Sequence, residues 1–407
     1  MSNSAQANVT RESRLALQPI SVVEHGDAFL VGDPARSAFF AVPEVGVVAL
    51  RALQSGARIA DAETAAEAYA GQHVDVLDFA EVLVAAGLVE SVDGRPIALD
   101  SASADATGGF IEGVRPELVR PFFSRPAWCL YALLLAACLI AFARRPELRP
   151  TFEAIFFLAD PAASVVAGAV IGLLLGVCHE ACHWLAARAS GVGARFSVSR
   201  RLFLPVLETD LSQLWAVPRS QRWSPFLAGM AFDTVVLAAA LGVRLAWNEG
   251  LIDPPPLAVR LAGAVVLLQV IALAFQTLVF LRTDLYAVLV TALGCFNLYR
   301  VSALVLRRRL RVLRPAEAAE LAAAHPRDRR VANWFAALSL LGVAAAAWMF
   351  VVWFVPATVI TAGWLFASLG GAPLGSTSFW QALALGSVAG LQAIVPLVIF
   401  TRERLRG

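Results

Sequence analysis

The stretch Cys178-His179-Glu180-Ala181-Cys182-His183 lies near the end of a long apolar run that extends from Ala162 to Ala187. Residues four apart on a helix lie on one face about one turn from each other, so both imidazoles can reach a single metal ion. Glu180 follows the first histidine, where a carboxylate can take a proton from a water molecule beside the metal. The spacing is His-Glu-x-x-His, which is typical of zinc peptidases.

The apolar surroundings of this motif limit the roles that its histidines and glutamate can have. A charged group near the centre of a bilayer costs roughly 2.5–3.5 kcal/mol, so buried histidines and a glutamate need a partner that offsets this cost. A bound metal ion is the simplest such partner. The alternative is a pair of structural histidines that form hydrogen bonds inside a helix bundle. Cys178 and Cys182 project from a neighbouring strip of the helix, so we do not expect them to be ligands.

The composition predicts an α-helical polytopic membrane protein. The chain has 407 residues, 58% of them hydrophobic, and its mean hydropathy is +0.68. These values leave room for one small soluble domain beside several spans. Six apolar segments are long enough to cross a bilayer, at about 126–143, 162–188, 225–247, 257–281, from 332 onward, and 378–400.

The arginines predict the orientation in the cell membrane. They concentrate between spans two and three, between spans four and five, and in the C-terminal tail. Because basic loops stay in the cytosol, we expect both termini and the histidine end of span two to be cytosolic. The polar start, Met1 to Arg14, has no apolar core of a secretory signal peptide. The exception is the loop after span one, which holds Arg144, Arg145 and Arg149 and which a cytosolic N-terminus forces outside.

The N-terminal quarter has the composition of a small soluble domain. Residues 1–18 are mostly polar and are expected to be a disordered tail. Residues 19–98 predict a hairpin, three helices and a return strand, at Phe29–Val31, Ala38–Val42, Glu44–Gln54, about 61–70, about 75–86 and Leu88–Glu90. This order predicts a winged-helix-like α/β domain, whose few arginines argue against a nucleic-acid partner. A small-residue linker at 99–125 then leads to the membrane domain at 126–407.

A catalytic zinc ion takes three protein ligands, so one more nitrogen or oxygen is needed downstream. His25 and His73 belong to the soluble domain, and His325 lies in an arginine-rich loop. Two aspartates remain. Asp233 lies about two turns into span three, at a depth close to that of the motif. Asp284 follows span four, and a straight helix would carry it about 40 Å along, beyond the hydrocarbon core.

The segment from Gln276 to Asp284 resembles the site-2 protease family of intramembrane zinc metalloproteases. In that family the third ligand is an aspartate in an Asn-Pro…Asp-Gly segment, and here too a polar residue stands eight positions before the aspartate. The resemblance covers about 120–310. It implies Zn²⁺ as the cofactor, His179, His183 and Asp284 as its ligands, and Glu180 as the catalytic base.

This chain departs from the family pattern in three places. Gln276 replaces the asparagine, no proline breaks the helix, and Leu285 replaces the glycine. Asp284 can therefore be a ligand only if span four breaks before it. Asp233 stands at the family's Ala-Gly-Pro-x-x-Asn position, which implies a role in orienting a ligand or the substrate. The alternatives are that Asp233 is itself the third ligand, or a polar residue paired inside the bundle.

The N-terminal stretch resembles the PqqD-like domains, which bind leader peptides of ribosomally made, modified peptides. The matching features are Phe-Leu-Val-Gly-Asp at 29–33 and Ala-Ala-Gly-Leu-Val-Glu at 85–90. The two resemblances imply a zinc-dependent endopeptidase that cleaves a peptide or membrane protein at the cytosolic side of the membrane, with a leader peptide and membrane lipid as further partners. The alternatives are a domain that only docks on its own membrane domain, and a non-catalytic component of peptide maturation, export or immunity that retains the metal site.

Two short segments between spans two and three are rich in β-forming residues, at Arg195–Ser199 and Leu202–Leu207. We expect a hairpin at the cytosolic mouth of the site. Its edge can align an extended peptide by strand addition, unless the segment is only a structural loop.

Overall fold

The computed structural model describes residues 9–25, 28–33, 38–97, 113–201 and 204–406. The chain divides into two compact units. The first holds Met1–Gly113, Val192–Arg195 and Asp210–Trp223, and the second holds the remainder of the chain. The start of the expected tail and most of the linker at 99–125 lie outside the described residues.

The N-terminal part of the first unit combines two small antiparallel sheets with three helices. One sheet has the strand order β1-β5-β6 and the other β2-β3-β4. The strands are β1 (Leu15–Leu17), β2 (Ser21–His25), β3 (Ala28–Asp33), β4 (Ala38–Val42), β5 (Val89–Val92) and β6 (Arg95–Pro96). The helices are α1 (Glu44–Gln54), α2 (Ile59–Ala70) and α3 (Val76–Ala85).

Two of these helices have a local reason to begin or end where they do. The side chain of Asp75 caps the start of α3 by accepting a hydrogen bond from the Asp78 N–H. Gly71 ends α2 at a φ of 66°, a left-handed conformation that favours glycine. The helices share a core with the strands, in which Leu50, Ile59, Leu83 and Val89 are at most 1% exposed. Burial of this core is what holds the unit together.

The strands and helices expected between Phe29 and Glu90 are all present, and α1 has the bounds that the sequence predicts. The winged-helix class of this unit stays a prediction. Part of the segment 1–18, which the sequence predicts to be a disordered tail, forms a strand. Leu15–Leu17 forms β1 opposite β5, and Leu15 is 4% exposed within the core.

The second unit consists almost entirely of helices. They are α4 (Pro116–Val119), α5 (Arg125–Arg144), α6 (Pro161–Ala189), α7 (Arg219–Asn248), α8 (Pro256–Gln276), α9 (Asp284–Leu293), α10 (Leu298–Arg309), α11 (Pro315–Ala323), α12 (Pro326–Met349), α13 (Val355–Gly371) and α14 (Thr377–Arg406). The first residues of α7 lie in the first unit. Between α6 and α7, strands β7 (Arg195–Arg201) and β8 (Leu204–Asp210) pair in a two-stranded sheet, so the expected hairpin is present.

Five helices in the described part of the chain are long and apolar enough to cross a membrane. They are Arg125–Arg144, Pro161–Ala189, Arg219–Asn248, Pro256–Gln276 and Pro326–Val352. The number rises to six if α9 and α10, bent by 87° at their junction, form one broken span. The sixth expected span, 378–400, falls within α14, whose side chains are described only in part. The number of spans and the side on which each terminus lies stay predictions.

The helix of the expected fourth span breaks before Asp284. Helix α8 ends at Gln276, a 3₁₀ turn covers Val279–Leu281, and Arg282 adopts a φ of 59° before α9 begins. The hydroxyl of Thr283 donates to the carbonyl of Gln276 at 2.7 Å. This bond satisfies a backbone acceptor that the broken helix leaves without its usual partner. Side chains therefore hold the break in a segment that contains no proline or glycine.

Candidate metal centre

The two histidines of the motif project from one face of α6 into the interior of the second unit. His179 is 8% exposed and His183 is 2% exposed. Their Nε2 atoms lie 3.1 Å apart. Residues four apart on a helix stand one turn from each other, which explains why the rings converge.

The Nδ1 atom of each histidine contacts an acceptor on α7. His183 Nδ1 lies 2.7 Å from the backbone carbonyl oxygen of Pro225. His179 Nδ1 lies 2.8 Å from Oδ2 of Asp233, which is 2% exposed. A carbonyl oxygen can only accept, so His183 Nδ1 carries the proton, and His179 Nδ1 likewise carries one when it donates to the Asp233 carboxylate. In neutral histidines both Nε2 atoms are then lone-pair donors to a metal.

Asp284 supplies a third acceptor at the same point. Its Oδ2 lies 3.1 Å from the Nε2 atom of His179 and 3.1 Å from that of His183. The side chain of Gln276 fixes the residue, since its Oε1 accepts from the Asp284 N–H at 3.0 Å. Gln276, the polar residue eight positions before Asp284, therefore holds Asp284 through a hydrogen bond to its backbone N–H.

Three lone-pair atoms thus converge at mutual distances of 3.1 Å. With both Nδ1 atoms protonated, no proton lies among these three atoms in the neutral state of the rings, so their lone pairs repel. A cation at the centre removes the repulsion. Asp233, Asp284 and Glu180 together carry a formal charge of −3. A divalent ion reduces this charge to −1 in an apolar environment where unpaired charge is costly.

The spacing of the three atoms fits a zinc ion. Ligand atoms bound tetrahedrally at about 2.0–2.1 Å are separated by about 3.3 Å, close to the distances seen here. Two imidazoles and one carboxylate form a ligand set common to catalytic zinc sites, which leave one position open. Hydrogen bonds from the other ring nitrogen to a carboxylate and a backbone carbonyl are the usual support of such histidines.

Glu180 lies beside the histidines and has a different partner. One of its carboxylate oxygens and a ring nitrogen of each histidine all lie within 4.8 Å of one another, so these three residues form a group that could hold a metal ion. The Thr209 N–H donates to Glu180 Oε2 at 2.8 Å, and the Thr209 hydroxyl donates to the Glu180 carbonyl at 3.0 Å. Strand β8 therefore orients the Glu180 carboxylate, whereas Asp284 faces both Nε2 atoms.

Helix α7 approaches the site along one stripe of residues four apart, namely Pro225, Gly229 and Asp233. Pro225 and Asp233 hold the two Nδ1 atoms. A Cβ placed on Gly229 would lie 2.5 Å from Cδ2 and Cε1 of His179, which no real side chain does. Only glycine permits this approach, so the position of His179 depends on the absence of a side chain at residue 229.

A cavity of about 400 Å³ opens onto the site. It lies between α6 and α8, and its lining includes His179, Glu180, Asp233 and Asp284. The walls away from these residues are mainly apolar. A cavity of this size and character is typical of a binding site for a small molecule or peptide segment.

The structure brings all four residues that the sequence singled out, His179, Glu180, His183 and Asp284, to one place. Asp233 lies against the opposite nitrogen of His179, in the orienting position. The roles of Pro225, Gly229 and Thr209 were not predicted from the sequence. The four-residue spacing from Pro225 through Gly229 to Asp233 was the one signal that could have indicated a contact stripe.

A scan against protein-family models gives no match for this chain, and searches of curated proteins and of solved structures give none either.

Proposed function

We propose that this chain is a zinc endopeptidase embedded in the cell membrane, with Glu180 as its catalytic base. The observation that carries the proposal is the convergence of three acceptor atoms at 3.1 Å, with both Nδ1 atoms of the histidines anchored. In this proposal His179, His183 and Asp284 hold the zinc ion. Asp233 orients His179 and raises its strength as a ligand.

Zinc at this site would acidify a coordinated water and polarise the carbonyl of a peptide bond. Glu180 takes the proton from the attacking water and returns it to the leaving amine. A base must lie within hydrogen-bond reach of the proton that it accepts, directly or through one water molecule. A carboxylate oxygen of Glu180 lies within 4.8 Å of a ring nitrogen of each histidine. The Thr209 N–H fixes the carboxylate in that orientation.

A second feature supports hydrolysis over simple metal storage. A metal-storage site needs ligands only, whereas this site also positions a carboxylate, Glu180, whose partner is a backbone N–H of β8. Strand β8 belongs to a two-stranded sheet whose edges can align an extended peptide by strand addition. An extended substrate presents its carbonyl groups, which a helix keeps hydrogen-bonded.

The location of the cleaved bond follows from the arginines. Helix α6 is followed by the basic stretch at 188–222, so the histidine end of that helix is placed at the cytosolic side, with both termini in the cytosol. We further propose that the N-terminal unit is PqqD-like and binds the leader peptide of a modified peptide. The substrate is then a peptide or membrane protein processed during maturation or export.

Metal analysis tests the site. Wild-type protein purified in detergent is expected to hold about one zinc per chain, and His179→Ala or His183→Ala is expected to hold none. His25→Ala, in the other unit, is the matched control and should keep the metal, because neither group of described residues that could hold a metal ion includes His25. Wild-type protein without zinc, or with equal zinc in all variants, contradicts the proposal. Iron in place of zinc would indicate a two-histidine, one-carboxylate oxygenase instead.

Cleavage tests the catalytic role of Glu180. Peptides from a membrane fraction are incubated with wild type and with Glu180→Gln, and new N-termini are counted by mass spectrometry. Glu180→Gln should retain zinc and produce no new termini, because the ligands remain and the base is lost. Zinc-containing wild type that cleaves nothing would favour the non-catalytic alternative, a membrane component that retains the metal site.

A further inference from the structure

The cavity beside the metal centre has a floor of very small residues. Gly172, Gly176 and Glu180 are spaced four apart on α6, so they share one face, and all three line the cavity. Around a Cβ placed on either glycine, no described atom lies within 4 Å apart from the backbone of its own helix. The floor is therefore open space that leads along α6 to the base.

The opposite wall, on α8, carries a buried amide nitrogen that has no hydrogen-bond partner in the described part of the chain. Gln269 lines the cavity and is 1% exposed. Its Nε2 has no hydrogen-bond partner among the residues that the structure describes. Buried polar groups nearly always have a partner, and one without is costly in an apolar environment. Gln276, seven residues further along α8, holds Asp284, so Gln269 stands about two turns along the cavity from the metal centre.

We propose that the cavity binds an extended, apolar polypeptide segment of the substrate, and that the buried side chain of Gln269 turns toward the cavity so that its Nε2 donates a hydrogen bond to one of the segment's backbone carbonyl groups. The proposal rests on the function proposed above and names the part of the substrate that lies on one side of the cleaved bond. Gln269 then determines how that segment is positioned, and Gly172 and Gly176 provide the space for it.

The dimensions of the floor set the length of the segment. Gly172 and Glu180 are eight residues apart on a helix, which corresponds to about 12 Å. An extended chain advances about 3.3 Å per residue, so about four residues fit. A lipid acyl chain could fill the same apolar space, but it has no acceptor for Gln269. A peptide has one at every residue, which is why the unpartnered amide favours a peptide.

Binding of hydroxamate probes to the full-length protein in detergent tests the proposal. Acetohydroxamate binds a metal alone, whereas acetyl-Leu-Ala-Leu-Ala hydroxamate also occupies the cavity. We expect the tetrapeptide probe to bind more tightly than acetohydroxamate. Gln269→Met, which keeps the volume and removes the donor, should weaken the tetrapeptide probe by about 2- to 12-fold, the equivalent of one neutral hydrogen bond. It should leave the zinc content and acetohydroxamate binding unchanged.

Two further variants separate the cavity from a general effect. Gly176→Leu fills the floor and should abolish the advantage of the tetrapeptide probe. Gly242→Leu is the matched control, because Gly242 is an exposed glycine on α7 outside the cavity lining, with the same open space around its Cβ. Dipeptide and hexapeptide probes should show that affinity stops rising near four residues.

The outcomes distinguish this proposal from the one on which it rests. Equal tetrapeptide binding by wild type and Gln269→Met overturns the role of Gln269 and leaves the metal centre intact. Unchanged peptide binding by Gly176→Leu, together with loss of co-purifying phospholipid, would identify a lipid site. That outcome also overturns the proposal that the cavity binds a peptide segment. If wild type holds no zinc, the zinc proposal fails. Binding of a tetrapeptide amide, which needs no metal, then tests the cavity by whether it depends on Gln269.

Discussion

Gly229→Ala changes no ligand and is nevertheless expected to disrupt the metal centre. The new Cβ would lie 2.5 Å from two ring carbons of His179, whereas ordinary contacts begin at 3.4 Å. The ring must therefore retreat by about 1 Å to restore normal van der Waals separation. That shift is large beside the 3.1 Å that separates its Nε2 from Asp284 Oδ2 and His183 Nε2.

Changes in the residues that support metal ligands typically cost about 10- to 100-fold in metal affinity. Because the displaced group here is a ligand itself, we expect the zinc dissociation constant of Gly229→Ala to rise by about 100-fold. A fluorescent zinc chelator in competition with the purified protein measures this constant. Peptide cleavage at saturating zinc should also fall by about 100-fold, the usual effect of a 1 Å misplacement in an active site.

Gly242→Ala is the matched control, since the same substitution on the same helix meets no atom within 4 Å. It should bind zinc as wild type does. Circular dichroism and size-exclusion chromatography establish whether each variant is folded. A folded Gly229→Ala with wild-type zinc affinity would refute the close packing of α7 on His179 and the dependence of zinc binding on that packing.

Five further substitutions, at four positions, separate the roles of individual residues. Asp284→Ala should lose zinc as fully as a histidine variant does, whereas Asp233→Asn should retain zinc with an affinity lowered about 10- to 100-fold. Metal analysis measures both variants. Loss of zinc from Asp233→Asn and its retention by Asp284→Ala would make Asp233 the ligand. Thr209→Pro removes the N–H that orients Glu180 and should lower kcat about 10- to 100-fold at unchanged zinc content. Thr209→Val keeps that N–H, so its kcat should remain within a few-fold of wild type. Equal kcat in the two variants would argue against the role of the Thr209 N–H in orienting Glu180. Leu50→Ala leaves a cavity in the core of the N-terminal unit and should lower the free energy of unfolding of that unit by about 2–5 kcal/mol. Hydrogen exchange of the strand amides in the full chain would report this loss. Unchanged protection of these amides from exchange would show that this core is not what holds the unit together.

Local patterns in the sequence were sufficient for most of the helices. Apolar runs of membrane length predict α5 and α6 to within a few residues. Helix α7 begins six residues before the predicted start at 225, and α8 ends early, at Gln276. The α1 helix could be placed from its amphipathic pattern and the Ser55-Gly56 stop, because Gly56 has a φ of 82° that ends a helix. The strand β1 could not be predicted, since its partner β5 lies more than 70 residues away along the chain. Only the pairing of distant segments makes those three residues a strand.

The sequence by itself determined which residues could bind a metal and how two of them are related, because helical periodicity puts His179 and His183 on one face. It left open which aspartate joins them, since the distance between Asp284 and the histidines depends on where α8 ends. That end is set by Gln276 and Thr283, whose side chains satisfy the backbone groups that a broken helix exposes. The Nδ1 partners, the approach of Gly229 and the unpartnered amide of Gln269 depend on contacts between helices. Such contacts join residues tens of positions apart, so only the tertiary structure decides them.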